Sequence, residues 1–460
     1  MNRKIVSLSV LVFLFSAIFA AQDLTSVYGE LEPALPGWCV EGNGTHFEIT
    51  DSPYLDVTLT SSEIVHVSLE SVPKVVDCSI ESLSSANSTM LTLSGFLPVA
   101  TYYRYQDGNL AESFTTDSAG AYSYSQDISD SHHIFIVEEA ASVYIYPNGE
   151  FWPEDAPISV SIVDGVYTYT FTGNILGPVI VQASNIVIDG DGYTVNAGWL
   201  YGFYIYQEAG VTVRNTRVIE GAMGIYLLKS NRNTLDDNTV SGWADVIRLR
   251  DGSSRNIVKG NKVSGGYWGL RFDWSASDNI VTGNTVSGAV NGISVATWSK
   301  NNLFYHNNII DNDVQVVDFV GSQWYHPDLL EGNYWSDYPG VDDGSGTGKH
   351  AIAGDGIGDT DIPWYSDYYP LTFRWISDPV EGTQELIGTI ESWNLPPGSE
   401  KCLTRKLDDA ISLLNQGNIN GAIRKLGDFI KQVTNDRKDL TEEQRSECIL
   451  QAQAIIFSIS

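Results

Sequence analysis

The decapeptide NIVTGNTVSG, residues 279–288, is one of three similar stretches in the middle of the chain. NIVKGNKVSG stands at 256–265 and NTLDDNTVSG at 233–242, so the pattern returns every 23 residues. The repeat predicts two columns of asparagines: Asn233, Asn256, Asn279 and Asn302 in the first, and Asn238, Asn261, Asn284 and Asn307 in the second, with Asn215 extending the second column backwards. A fixed period of this length indicates stacked structural units.

A second set of stretches repeats at nearly the same interval. These short β-prone runs are GIYLL from 224, VIRLR from 246, GLRFD from 269 and GISVA from 292. Turn residues separate them, which predicts a parallel β-helix whose coils stack about 4.8 Å apart. Val258, Val281, Leu270 and Ile293 are expected to point inward. The asparagines are predicted to be structural, because stacked amides hydrogen-bond along the axis and Asn tolerates left-handed turns.

The end of the repeat region carries a distinctive set of motifs. GNYWSDY at 332–338, GDGIGDTDIP at 354–363 and DYYPL at 367–371 follow the last coils. Together with the coils they resemble β-helix proteins of the NosD type, also grouped as carbohydrate-binding and sugar-hydrolase repeats. The resemblance implies a right-handed parallel β-helix over 146–375, closed by a C-terminal cap. The NosD name also implies copper handling, but three Met and seven His offer little support, since cuprous ions favour soft sulfur ligands.

The flanking regions have different characters. Residues 1–21 are predicted to be a signal peptide, because Arg3 and Lys4 precede a short apolar run that is too short to span a membrane. Residues 22–145 alternate polar and apolar residues between turns, which predicts a β-sandwich of immunoglobulin or fibronectin type. No later segment is apolar for long enough to span a membrane, so we expect an exported mature chain without a transmembrane segment.

Residues 376–460 show helical periodicity and predict a small helical bundle. Thr441 with Gln444 forms a capping-box pattern at the start of its last helix. SLLNQGNINGAIRKLGDFIKQV, residues 412–433, resembles the FIMAH domain, which implies attachment or assembly rather than catalysis.

Covalent modifications are also predicted. The spacing of the four cysteines suggests one disulfide in each terminal domain, Cys39 with Cys78 and Cys402 with Cys448, although three pairings are possible. NGT at Asn43 and NST at Asn87 are candidate glycosylation sites.

One face of the coils carries candidate ligand-binding residues. Arg248 and Arg271 occupy the same position in successive coils, and Arg250 and Asp273 lie two residues further along; Trp243, Trp268 and Trp274 are close in sequence. These residues are consistent with a solvated face containing an Arg–Asp pair, with glycan binding on tryptophan platforms, or with catalysis. No pair of carboxylates of the kind glycosidases need repeats on this face.

The terminal cap suggests a structural calcium ion as the only candidate cofactor. GDGIGDTD resembles the latter half of a calcium loop, with Asp355, Asp359 and Asp361 as ligands. Two of the earlier loop positions fall on Ala351 and Ala353, which have no ligating side chain.

The net charge of −31 makes nucleic acid an improbable partner. The sequence therefore predicts a secreted, cell-surface or periplasmic protein that binds carbohydrate or another surface component without catalysis. The alternatives are a polysaccharide lyase, hydrolase or epimerase acting on the β-helix face, and a copper-handling accessory protein.

Overall fold

The computed structural model describes residues 39–459, apart from 51, 53–54, 73–74, 108, 138–142, 199–200, 363–365 and 437. The predicted signal peptide lies outside these residues. The described chain forms an N-terminal sheet domain, a β-helix with a terminal cap, and a bundle of helices.

The N-terminal domain is one antiparallel sheet of eight strands, in the order β6-β5-β8-β3-β2-β4-β7 with β1 paired to β2. The strands are β1 (Cys39–Ile49), β2 (Val57–Val72), β3 (Val75–Ser82), β4 (Ser88–Ser94), β5 (Thr101–Gln106), β6 (Asn109–Thr115), β7 (Ala121–Asp127) and β8 (His132–Val137). The long strand β2 pairs with β4 through its first part and with β3 through its second part.

The sheet rolls up so that its two edge strands face each other. Phe114 of β6 stacks on Tyr122 of β7, with ring centroids 3.5 Å apart, and the Tyr122 hydroxyl donates to Glu112. A single core that includes Leu59, Leu93, Ile134 and Ile136 fills the interior. The described strands thus form one rolled sheet, where the sequence predicted the two separate sheets of a sandwich.

The β-helix follows, and its coils have three faces. The strands are β9 (Val143–Ile145), β10 (Phe151–Trp152), β11 (Ile158–Val163), β12 (Val166–Phe171), β13 (Ile175–Leu176), β14 (Val179–Val181), β15 (Val187–Asp189), β16 (Thr194–Asn196), β17 (Tyr201–Tyr206), β18 (Thr212–Arg214), β19 (Arg217–Leu228), β20 (Thr234–Asp236), β21 (Thr239–Arg250), β22 (Ile257–Lys259), β23 (Lys262–Gly265), β24 (Trp268–Phe272), β25 (Ile280–Thr282), β26 (Thr285–Ser287), β27 (Asn291–Val295), β28 (Leu303–Tyr305), β29 (Asn308–Ile310), β30 (Val314–Asp318) and β31 (Tyr334–Trp335). We call the face formed by β9, β14, β17, the second halves of β19 and β21, β24, β27 and β30 the arginine face.

The register confirms the repeat. Val258 pairs with Val281, which pairs with Phe304, so the offset between these coils is one 23-residue period. Leu270 pairs with Ile293 in the same way on the arginine face. All five side chains are buried in a common core, as the alternating pattern predicted for four of them.

The asparagine columns are hydrogen-bonded ladders inside the turns. Asn261 illustrates the pattern: its Oδ1 accepts from the backbone and side-chain amides of Asn238, both at 3.0 Å. Its Nδ2 donates to the carbonyl of Leu235 and to Oδ1 of Asn284. The second ladder continues past Asn307 to Asn333. These bonds satisfy backbone groups that a strand pairing leaves free at each corner.

Two details of the asparagine prediction are wrong. Asn215 is exposed beside the second ladder, and the backbone N–H of Thr216 donates to Asn238 at that position. The left-handed residue of each turn precedes the ladder asparagine. These residues are Arg232, Asp237, Arg255, Gly260, Asp278, Gly283, Asn301 and His306. The asparagines are therefore required for amide stacking and not for a positive φ.

Four helices form the C-terminal domain: α1 (Pro379–Ser392), α2 (Pro397–Asn415), α3 (Ile419–Asn435) and α4 (Glu442–Ile459). Thr441 and Gln444 form the predicted capping box, since each backbone N–H donates to the other side chain. Consecutive helices pack together and α4 returns to α1. None of the helices in the described part of the chain is long and apolar enough to span a membrane.

The predicted disulfides are absent from the structure, where all four cysteines are free. Cys39 lies on β1 and Cys78 on β3, with β2 between them, so they are two strand spacings apart, roughly 10 Å, too far for a disulfide. Cys402 is on α2 and Cys448 on α4, which occupy diagonal corners of the bundle. The placement of two cysteines in each terminal region of the sequence carried no information about these separations.

Both predicted glycosylation sites are on the surface. Asn43 and Asn87 are exposed, so their side chains are accessible for modification, and glycan attachment remains a prediction.

We expect Asn261→Ala to reduce the free energy of unfolding by about 2–4 kcal/mol, because a backbone N–H and a carbonyl lose buried partners. Urea unfolding followed by circular dichroism measures the change. Lys259→Ala is the control, since its exposed ion pair with Asp236 is worth less than about 1 kcal/mol. Equal losses in the two variants would contradict a structural role for the ladder.

Alkylation by iodoacetamide tests the assignment of free thiols. We expect exposed Cys402 to react in the folded protein, and Cys78 and Cys448 to react only after unfolding. Burial raises the pKa of the Cys448 thiol to about 12, which removes the reactive thiolate at neutral pH. A peptide containing a Cys402–Cys448 disulfide, found by mass spectrometry, would contradict the structure.

Candidate ligand-binding cleft

The arginine face is covered by the N-terminal sheet along much of its length. Arg248 and Arg250 are fully buried, and Arg271 and Asp273 are nearly so. The register places Tyr226, Arg248, Arg271 and Ser294 side by side in successive coils, as the repeat predicted. The expectation of a solvated face is therefore wrong at these residues, because a second domain shields them from water.

Arg248 is the centre of the contact between the two domains. Its guanidinium forms a bidentate pair with Glu70 of β2, at 2.5 and 2.8 Å. The same group donates to Asp273 at 2.6 Å. Burial raises the pKa of Glu70, but the charges of Arg248 and Arg250 outweigh it and hold that pKa well below its usual range. Arg248 is thus the shared cation of two buried carboxylates, which stabilises them as charged groups.

The remaining arginines complete a balanced cluster. Arg271 lies 3.4 Å from Asp245 and 3.3 Å from Asp273, while Arg250 donates to Ser68 and lies 3.4 Å from Glu70. Three arginines therefore face three carboxylates. The Arg–Asp pair expected between Arg250 and Asp273 instead involves Arg248, because the N-terminal sheet holds Arg250.

A second polar contact lies further along the same interface. His133 of β8 binds Asp77 through Nε2 at 2.9 Å and contacts the Tyr204 hydroxyl through Nδ1 at 2.5 Å. The Tyr201 hydroxyl donates to the other oxygen of Asp77 at 3.1 Å. Burial raises the pKa of Asp77, yet the neighbouring His133 lowers it below the usual value overall. Each of these four side chains has a hydrogen-bond partner across the interface, and these bonds fix the orientation of the two domains relative to each other.

A small cleft of about 60 Å³ lies where β1 borders the arginine face. Its walls come from both domains. It is lined by Cys39, Glu41, Trp268, Arg271, Asp273, Trp274, Ser294, Ala296, Thr297, Trp298 and Phe319. This volume is well below the roughly 300–1,000 Å³ of sites that enclose a small molecule, so a ligand would rest on the exposed walls of the cleft.

Aromatic side chains dominate the cleft. Trp274 and Trp298 meet edge to face, with ring centroids 6.4 Å apart. Trp298 is 53% exposed and Phe319 is 55% exposed. Trp268 forms part of the floor, where the guanidinium of Arg271 lies 5.4 Å from its ring centroid. The cleft therefore combines apolar ring faces with a polar base.

Two of the three cleft tryptophans have costly backbone conformations. Trp274 has a φ of 53° and Trp298 a φ of 74°, which is unfavourable for a bulky side chain. Earlier coils turn the same corner with Gln207, Lys229 and Asp251, also at positive φ. Such strain, of order 1–3 kcal/mol, concentrates at functional sites. Positive φ is thus a recurring feature of this corner, and the cleft coils place bulky tryptophans there.

The carboxylates of the cleft are already engaged. Asp273 is paired with Arg248 and Arg271, and Glu41 lies 3.2 Å from His66. Glycoside hydrolysis needs two available carboxyl groups that face each other across the substrate. The described lining residues do not supply such a pair, which favours binding over catalysis.

Only some of the predicted site residues lie together in the cleft. Trp268, Trp274, Arg271 and Asp273 line the cleft, whereas Trp243 does not. Trp298 was missed, although it follows Trp274 by nearly one period and the repeat could have identified it. Glu41 and Glu70 were also missed, and no sequence signal connects their domain to the arginine face.

The predicted calcium ligands are used within the cap. Asp359 accepts from the backbone N–H groups of Asp343 and Ser345, Asp355 accepts from that of Ile357, and Asp361 is exposed. The described residues include no group of three or more His, Cys, Asp or Glu arranged to hold a metal ion. Each of these contacts uses one carboxylate oxygen, while Asp355 Oδ2 and Asp359 Oδ1 are buried without a hydrogen-bond partner among the described residues, so the calcium site stays a prediction.

Comparisons with known proteins agree with the fold. Residues 163–340 match the NosD family, described as a periplasmic copper-binding protein, and residues 380–457 match the FIMAH domain. No curated protein matches the chain.

Two solved structures share weak similarity with the chain. The catalytic domain of a GH87 α-1,3-glucanase in complex with tetrasaccharides is 12% identical, with a TM-score of 0.18, over 57% of this chain and 70% of that one. The same type of domain in complex with nigerose is 11% identical, with a TM-score of 0.15, over 64% and 73%. Superpositions this poor establish nothing about the site.

The family matches confirm both resemblances seen in the sequence. The β-helix lies in the NosD region and the four helices lie in the FIMAH region. The chain thus has a β-helix that matches the NosD family over 163–340, followed by helices that match the FIMAH domain over 380–457.

Proposed function

We propose that the protein is an exported, non-catalytic carbohydrate-binding protein whose ligand site is the cleft between the N-terminal sheet and the arginine face. The observation that carries this proposal is the group of Trp274, Trp298 and Phe319 around a polar floor. A pyranose ring has an apolar C–H face that packs on an aromatic ring, and hydroxyl groups that need hydrogen-bond partners.

The polar floor is suited to fix the orientation of a sugar. Arg271 and Ser294 lie in adjacent coils at the base of the cleft. Arg271 supplies several N–H donors in a rigid plane, and a hydroxyl both donates and accepts. Because Asp273 and Asp245 hold Arg271, these donors are positioned before a ligand arrives, which reduces the entropy lost on binding.

The copper alternative lacks a fitting set of ligands. The matched family is described as copper-binding, but the described part of the chain does not arrange three or more His, Cys or acidic side chains so that they could hold a metal ion. Burial and Asp77 raise the pKa of the Cys78 thiol well above its usual value, which disfavours a metal-binding thiolate. We therefore derive no copper chemistry for this chain.

We expect a glycan array to identify a ligand, and Trp298→Ala to weaken its affinity at least about tenfold, because an exposed aromatic platform is lost. Isothermal titration calorimetry measures the change. Trp243→Ala is the matched control, since this tryptophan is 43% exposed and lies outside the cleft.

Two outcomes would overturn the proposal. An array without binding, or equal affinities for Trp298→Ala and Trp243→Ala, would exclude the cleft as a glycan site. Release of sugar fragments from a polysaccharide by the purified protein would contradict the absence of catalysis.

We expect Arg248→Met to reduce the free energy of unfolding by about 3–5 kcal/mol, because Glu70 and Asp273 lose their shared buried cation. Denaturant unfolding measures the loss. Arg214→Met is the control, since its ion pair with Asp189 is at the surface and should contribute at most about 1 kcal/mol. Equal stability of the two variants would contradict the role of Arg248 as the buried cation shared by Glu70 and Asp273.

The same variant predicts a pH dependence. The pKa of Glu70 is lower in the folded protein than its ordinary value of 4.5, so its stabilising effect is present above that pH and is lost as the pH falls below it. The difference in stability between the wild type and Arg248→Met should therefore shrink below about pH 4.5. A difference that stays constant down to pH 3 would contradict the role of Glu70.

A further inference from the structure

A second cavity lies on a different face of the C-terminal coils, between the cap and the helical domain. This groove has a volume of about 1070 Å³ and is bounded by the segment 372–376 and by helices α1 and α4. It is at the upper limit of the usual size of small-molecule sites, roughly 300–1,000 Å³. Its dimensions are suited to a segment of polypeptide.

The groove is held in place by contacts between the two domains. Asn308 of the β-helix bonds both the backbone N–H and the carbonyl of Trp375, at 2.7 and 2.9 Å. The Trp375 ring stacks on His306 at 3.6 Å and meets Phe457 of α4 edge to face. The segment that forms one wall of the groove is thus held by contacts with both the β-helix and helix α4.

The floor of the groove is apolar. Phe373 and Ile376 come from the linking segment, and Leu450 comes from α4. Leu450 is 46% exposed, which leaves an apolar side chain on the helix surface beside two other half-buried ones. Apolar surface of this kind inside a groove is typical of peptide recognition.

The rim of the groove is acidic. Glu442, Glu443 and Glu447 lie along one exposed side of α4, and Glu385 of α1 faces them. Arg374 is the one basic side chain among the described lining residues. A ligand with positive charges around an apolar stripe would match both the rim and the floor.

We propose that this groove binds a lysine- or arginine-rich amphipathic segment of a partner protein. A second copy of the chain is disfavoured, because 57 acidic residues against 26 basic ones would bring like charges together. The groove shares no lining residue with the proposed carbohydrate cleft, so the proposal does not depend on the proposed sugar binding.

The test uses the full chain and a fluorescein-labelled amphipathic peptide of lysine and leucine. A peptide with glutamate in place of lysine is the charge control, and spermine is the control for a small polycation. Fluorescence anisotropy at low salt should show binding of the lysine peptide only, and binding should weaken at about 0.3 M salt as the rim charges are screened.

Two pairs of substitutions distinguish the groove from bulk electrostatics. Glu443→Gln with Glu447→Gln should weaken binding of the lysine peptide at least about tenfold. Glu154→Gln with Asp155→Asn removes the same charge at the distant N-terminal end of the β-helix and should change affinity less than about twofold. Leu450→Ser should also weaken binding, which a purely ionic attraction would not predict.

Several results would overturn the proposal. These are no binding of the lysine peptide, equal binding by both charge variants, or complete displacement of the peptide by spermine with no effect of Leu450→Ser. Circular dichroism of each variant establishes that the fold is retained. Trp298→Ala should leave peptide binding unchanged, which separates this site from the carbohydrate cleft.

Discussion

The buried ion pair between Arg248 and Glu70 joins positions that are 178 residues apart in the sequence. A charge at that depth is stable only with a partner. Arg248 of the arginine face and Glu70 of the N-terminal sheet therefore each stabilise the buried charge of the other. This ion pair fixes the position of the N-terminal sheet on the coils of the β-helix. The proposed carbohydrate site lies beside this cover, where β1 meets Arg271, Trp274 and Trp298.

The architecture separates rigidity from recognition. The asparagine ladders and the stacked aliphatic core hold each coil in register with the next, which gives a stiff platform. The proposed sites lie at the two junctions of that platform with its neighbours, and each takes residues from two domains. Binding at either junction would thus depend on the intact chain, since neither domain supplies a complete set of contacts.

The sequence predicted the features that depend on local repetition. The interval between Asn256 and Asn279 identified the coils, and the interval between Arg248 and Arg271 placed those two side chains in adjacent coils. Features that depend on contacts between distant segments of the chain could not be predicted from the sequence. The cover of Arg248 by Glu70 is one such feature, and the separation of Cys39 from Cys78 by an intervening strand is another. A periodic pattern specifies neighbours along the helix axis and contains nothing about a domain that docks from the side.

Hydrogen–deuterium exchange on the full chain, with and without a glycan bound, can locate the ligand on the molecule. We expect slower exchange on glycan binding in the corner and strand segments around Trp274, Trp298 and Phe319, and in β1 near Glu41. Protection confined to other regions, or an unchanged exchange pattern at saturating glycan, would contradict the assignment of the cleft as the binding site.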